Sequence, residues 1–238
     1  MQKEKIAQAE KETILNRITV TESYEAVSEA DLVIEAIYEN LDAKKAIFRE
    51  IEPKKKQGAI LASNTSSLSL TAIASVLKEP ERFIGLHFFY PAPVMALLEI
   101  VAGLKTSPQT LDAAREIGRA LKKEVIVAKD SPGFIVNRML VVMLNEAVCA
   151  YSEGVGSKED IDRGLALGCN HPVGPLSLID MLGLDIVCAV MEAFYRDFAD
   201  SKYRPAPLLR KMAAAGMLGK KSGQGFYTYD AKGQKIEA

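Results

Sequence analysis

The stretch RFIGLHFFYPAPVMALLEIVAG, residues 82–103, decides how this chain is organised. It divides into two short apolar runs, RFIGLHFF (82–89) and ALLEIVAG (96–103), separated by a turn that carries two prolines. Apolar runs of this length, bounded by turn residues, predict strands covered on both faces. Working outward, similar runs recur at ADLVIEAI (30–37), GAILASNTSSL (58–68) and EVIVAKD (124–130). Helical stretches separate them: NLDAKKAIFREIEPKKK (40–56), ended by Pro53, then SLTAIASVL (69–77) and SPQTLDAAREIGRALKK (107–123). Strands alternating with helices of about ten to fifteen residues mean βαβ units, an α/β fold with a mostly parallel sheet. At the start, Ile6, Ala9, Ile14, Leu15 and Ile18 are spaced for one more, amphipathic helix.

The pattern changes near KDSPGF (129–134). Beyond it GFIVNRMLVVMLNEAVCAYSEG (133–154) is apolar almost all round, which predicts a helix buried in a bundle or a subunit interface. Ser157 opens SKED, the pattern of a capping box. GPLSLIDMLGLDIVCAVMEAFYRDF (174–198) and PLLRKMAAAGM (207–217) read as further helices, with no convincing strand until the last residues. The chain therefore divides into an α/β part, 1–129, and an all-helical part, 130–238.

Composition narrows the function. With 30 basic and 31 acidic residues among 238, the net charge is −1, which argues against a nucleic-acid binder. Cys149, Cys169 and Cys188 are odd in number, widely spaced and set among apolar neighbours. They read as buried free thiols of a reducing compartment, with no disulfide frame and no metal site. No apolar run approaches a membrane span, and the charged start is unlike a leader peptide. A cytoplasmic protein is the expectation.

Two histidines occur, and one of them, His87, lies in the opening stretch near the C-terminal end of its strand. Glu99 follows twelve residues later in equally apolar surroundings. A buried charge is costly unless paired, so the two either satisfy each other or share a proton that has a use. Ligands of open α/β sheets collect beyond the C-terminal ends of the strands. Ser66, in ASNTSS, lies at the corresponding end of the preceding strand, although such a run is also an ordinary turn or N-cap. Asn137 sits one turn into an apolar helix, able to donate to a carbonyl or to tie the helix down. The lysines of LGKKSGQGFYTYD (218–230) fit a phosphate contact or a surface turn, and His171, before Pro172, reads as structural.

ASNTSSL, GLHFFYPAPVMALLEIV, DSPGFIVNRML, GCNHPVGPLSLIDMLGLD and GKKSGQGFY, in this order, resemble the signatures of the 3-hydroxyacyl-CoA dehydrogenase family, and its short-chain bacterial branch in particular. The resemblance implies a Rossmann-like NAD-binding domain, a helical dimerisation domain and an acyl-CoA substrate of the acetoacetyl-CoA/3-hydroxybutyryl-CoA kind. It implies that His87 moves the proton of the 3-hydroxyl while hydride passes to or from nicotinamide. Glu99 would orient His87, Ser66 would bond the reacting oxygen, and Asn137 would position the substrate. Glu39, Lys44 and Lys221 match family positions near the cofactor, with Ser66 and Tyr90 beside it. The choice between NAD and NADP stays open.

Two departures accompany the resemblance. The family motif reads HFFNP where this chain has Tyr90, a larger ring that either crowds the cofactor or points away. No GxGxxG turn occurs in the 238 residues. The expectation is a missing opening βαβ unit of more than about thirty residues. Losing two or three charge-assisted hydrogen bonds to pyrophosphate, at about 1.5–3 kcal/mol each, weakens binding by about 10³-fold. The chain as given is thus expected to bind NAD poorly, and ADLVIEAI to carry an unpaired edge.

Overall fold

The computed structural model describes residues 7–236. Ile6 of the opening helix lies outside them. Strands β1 (Leu32–Glu35), β2 (Ile60–Ser63), β3 (Phe83–Phe88), β4 (Leu97–Ala102) and β5 (Glu124–Lys129) form one sheet in sequence order. Pairs β1–β2, β2–β3 and β4–β5 are parallel, whereas β3–β4 is antiparallel. The sheet is mostly parallel, and the one reversal lies at the stretch 82–103. The connection between β3 and β4 is too short for a helical crossover, so the chain turns straight back.

Period-two alternation sorts the side chains of the sheet onto two faces. On one face Leu61, Phe83 and Val101 pack with Phe48 and Ile51 of α2 (Leu41–Ile51) and Leu70 and Ile73 of α3 (Leu70–Ala74). On the other Ile60, Ile84, Leu86, Leu98 and Ile100 pack with Ala114 of α4 (Pro108–Ala120). The odd-numbered positions of β3 and β4, His87 and Glu99 included, share the α3 face. Gly85 belongs to that row because a Cβ there would stand 2.4 Å from Leu70.

The first helix is shorter than its apolar spacing predicts, Gln8–Leu15, and buries none of its residues. Ile14, Leu15 and Ile18 are exposed, because no described element packs against them. Strand β1 is the edge of the sheet among the described residues.

The helical half has its own core. Val141, Leu144 and Val148 of α5 (Val136–Ser152) meet Leu176 and Ile179 of the helix Pro175–Leu182 and Val187, Met191 and Phe194 of the helix Leu184–Phe198. Within one chain, Val141, Leu144 and Val148 of α5 are buried while Met139 is exposed. Ser157 caps the helix Lys158–Gly168 by accepting from the Asp160 amide at 3.1 Å. The cysteines are free, but the expectation of buried thiols fails: Cys169 is exposed at the end of that helix, and Cys149 and Cys188 are half-buried.

Candidate active site

Register brings the two titratable groups of the opening stretch together. His87 and Glu99 are direct partners across the β3–β4 ladder. The His87 Nδ1 stands 2.7 Å from Glu99 Oε2, with Glu99 fully buried and His87 5% exposed. The other carboxylate oxygen, Oε1, accepts from the amides of Ile135 at 3.1 Å and Val136 at 3.0 Å. These are N–H groups at the start of α5, which have no partner within the helix. A carboxylate there also meets the positive end of the helix dipole.

This geometry fixes the imidazole. A carboxylate only accepts, so the hydrogen-bond network assigns the proton of the neutral ring to Nδ1. Nε2 is left as the lone-pair nitrogen and makes no hydrogen bond to the described protein. Phe89 at 4.6 Å and Phe134 at 5.6 Å between ring centroids hold the ring in place. The arrangement is that of a general acid/base with one free nitrogen.

The segment after β2 runs past the same edge, tied to it where Asn64 Oδ1 accepts from the Phe88 amide at 2.9 Å. Six hydroxyls lie between Ser63 and Thr71. Ser63 donates to Glu35, Thr65 and Ser67 to Glu39, and Ser69 to Asp130, while Thr71 accepts from the Leu104 amide. Only Ser66 Oγ has no protein partner among the described residues. Asn137, the second residue of α5, is likewise half-buried with an unpartnered amide. The structure thus gathers His87, Glu99, the Ser66 segment and the helix start that carries Asn137.

The residues expected at the cofactor fare differently. Lys44 is 1% exposed, with its ammonium 2.7 Å from Glu35, 3.2 Å from the Ile37 carbonyl and 3.3 Å from Glu39. Its ammonium donates to Glu35 and to the Ile37 carbonyl and is ion-paired with Glu39. Glu39 Oε1 accepts from Thr65, from both Ser67 donors and from the Ser66 amide. Burial pushes the Glu39 carboxyl up, but the hydrogen bonds from Thr65 and Ser67 and the Lys44 charge together hold it below its ordinary value. Lys221 is not part of this cluster: it is half-exposed and paired with Asp185 of the helical half at 2.7 Å. Tyr90 is 94% exposed. The buried Glu35 and the half-buried Asp130 were not singled out by sequence. Glu35 carried a readable signal, a carboxylate inside an apolar run like that of Glu99. Among the described residues no cluster of three His, Cys, Asp or Glu is arranged to hold a metal ion, and no helix is long and apolar enough to cross a membrane.

Residues 1–131 match the model of the 3-hydroxyacyl-CoA dehydrogenase NAD-binding domain, and residues 133–229 that of the 3-hydroxyacyl-CoA dehydrogenase C-terminal domain. The chain belongs to the 3-hydroxyacyl-CoA dehydrogenase family. Members are oxidoreductases whose first domain takes a nicotinamide cofactor. A 3-hydroxybutyryl-CoA dehydrogenase of Clostridioides difficile is 46% identical over 228 residues, 96% of this chain and 81% of that protein. The human mitochondrial hydroxyacyl-coenzyme A dehydrogenase is 42% identical over 91% of this chain and 69% of its own length. The crystal structure of (S)-3-hydroxybutyryl-CoA dehydrogenase from Ralstonia eutropha superposes with a TM-score of 0.94 at 51% identity, covering 96% of this chain and 81% of that one.

Proposed function

We propose that the site interconverts a 3-hydroxyacyl-CoA and the corresponding 3-oxoacyl-CoA, with 3-hydroxybutyryl-CoA and acetoacetyl-CoA as the pair and NAD as the cofactor. The observation that carries this reading is the imidazole of His87, locked at Nδ1 by a buried carboxylate and free at Nε2. The unpartnered Ser66 hydroxyl and Asn137 amide fit the reacting end of such a cofactor and substrate. When bound, nicotinamide supplies the hydride acceptor for oxidation and the donor for reduction.

In oxidation, His87 Nε2 takes the proton of the 3-hydroxyl as the C3 hydrogen leaves with its electron pair, and the C3–O bond becomes a carbonyl. Glu99 keeps Nε2 aimed at that oxygen and faces the ring as it becomes charged. Ser66 Oγ donates to the same oxygen, and Asn137 donates to the thioester carbonyl. In reduction, His87 returns the proton. General acid–base catalysis of this kind contributes about 10²–10⁴ in rate. A homodimer formed through the helical half, where Met139 of α5 is exposed, belongs to the same reading, and light scattering tests it.

The 238 residues carry no GxGxxG turn, so weak dinucleotide binding by this polypeptide alone belongs to the proposal. Calorimetry with NADH and with acetoacetyl-CoA tests both parts. The reading expects acetoacetyl-CoA to bind, and Ser66→Ala and Asn137→Ala to weaken it. Tight NADH binding would overturn the second part. No binding of acetoacetyl-CoA would favour a non-catalytic, dimerising remnant.

A further inference from the structure

The segment that carries Ser66 is gripped from outside by two carboxylates. On one side Glu39 Oε1 gathers the Thr65 hydroxyl, the Ser66 amide at 3.1 Å, the Ser67 amide at 3.1 Å and the Ser67 hydroxyl at 3.0 Å. On the other, Asp130 Oδ1 accepts from the Leu70 amide at 3.0 Å, and Oδ2 from Ser69 Oγ and the Thr71 amide, both at 2.8 Å. Neither carboxylate is free to wander. Glu39 Oε2 is held by Lys44, which is itself anchored on Glu35 and the Ile37 carbonyl. Asp130 directly follows β5, and its amide donates to Ala102 of β4 at 3.2 Å, so the sheet places it.

We propose that Glu39 and Asp130 are positioning residues for Ser66, clamping residues 65–71 at both ends so that the one unpartnered hydroxyl of the segment meets the substrate oxygen. The proposal rests on the role given to Ser66 above. Asp130 opens the junction to the helical half, so the same clamp sets Ser66 relative to the helix that carries Asn137.

The chemistry makes the clamp specific to carboxylates. In Glu39→Gln the amide must turn its NH₂ either toward the four donors of the segment or toward the Lys44 ammonium, so donor faces donor both ways. In Asp130→Asn both side-chain positions face backbone N–H groups, so the NH₂ again opposes a donor. Both variants should release the segment.

The test is a double-mutant cycle on the full 238-residue chain, with acetoacetyl-CoA affinity read by calorimetry. Ser66→Ala should weaken binding about 5- to 10-fold, the worth of one hydrogen bond. Glu39→Gln and Asp130→Asn should each weaken it several-fold, about as far as Ser66→Ala does, and adding Ser66→Ala to either should cost nothing more. If the carboxylate variants fold poorly, Thr65→Val with Ser67→Ala removes donors from the other side of the clamp and should reproduce Glu39→Gln. Glu52→Gln is the control: Glu52 accepts from the Lys78 and Glu79 amides elsewhere in the fold, and its loss should leave affinity at the wild-type value. Carboxylate variants that bind like wild type, or whose effects multiply with that of Ser66→Ala, overturn the clamp. Ser66→Ala binding like wild type would instead remove the role of Ser66, and the clamp with it.

Discussion

Replacing Glu99 with glutamine changes one atom and should change the enzyme twice. The carboxylate is fully buried and accepts three hydrogen bonds, from His87 and from the amides of Ile135 and Val136. In Glu99→Gln the amide oxygen keeps the two α5 amides, now as neutral bonds, and the NH₂ faces His87. A bond to a charged acceptor is worth about 1.5–3 kcal/mol and a neutral one about 0.5–1.5, so two downgraded bonds cost about 2–3 kcal/mol of stability. The NH₂ also donates to Nδ1, which forces the imidazole proton onto Nε2 and removes the base. The equivalent amide substitution in a Ser-His-Asp triad costs about 10⁴ in rate through the same tautomer error. Since the chain has two histidines, ¹⁵N correlation spectra of the imidazoles read the tautomer directly, with His171 as the internal reference. The expectation is an Nδ1–H ring in the wild type and an Nε2–H ring in the variant, with a lowered urea midpoint. An Nδ1–H ring in Glu99→Gln, or a stability change under about 0.5 kcal/mol, would refute the reasoning.

Lys44→Met should cost about 3–5 kcal/mol, the usual penalty for stranding one member of a buried ion pair, because Glu35 stays buried with it; urea unfolding measures this. The lowered Glu39 carboxyl stabilises the fold above the ordinary carboxylate range, and that contribution is lost as pH falls through its depressed folded-state value. Unfolding free energy should therefore drop more steeply between about pH 5 and pH 3 in the wild type than in Glu39→Gln. Gly133→Ala places a Cβ 2.2 Å from the Phe194 ring at a φ of +75°, and should destabilise by about 2–4 kcal/mol from overpacking and left-handed strain, read by the same unfolding curves.

What the sequence revealed and what it hid follow from the range of each interaction. The alternation of strands and helices is local and was legible, as was the Ser157 cap. His87 and Glu99 stood out because a titratable pair in an apolar run is conspicuous within twelve residues. The second oxygen of Glu99 was illegible, since its partners lie 36 and 37 residues away and depend on how α5 docks. Asp130 reaches back about sixty residues to Ser69, Leu70 and Thr71, a contact that only the closed sheet creates. Lys44 was named in the sequence only through the resemblance, and its burial was not legible there. Its burial comes from two carboxylates, Glu35 and Glu39, that no helical periodicity announces. The apolar spacing of the first helix misled for the opposite reason, because a stripe is buried only where something covers it.

The most direct test of the central claim is the oxidation of NADH by acetoacetyl-CoA. It is best run on this chain at saturating NADH, with His87 intact and as His87→Ala. The account predicts turnover with His87 intact and none by His87→Ala, which should still bind acetoacetyl-CoA. Turnover by His87→Ala at the wild-type rate would contradict the account, because the free Nε2 would then have no part in moving the proton.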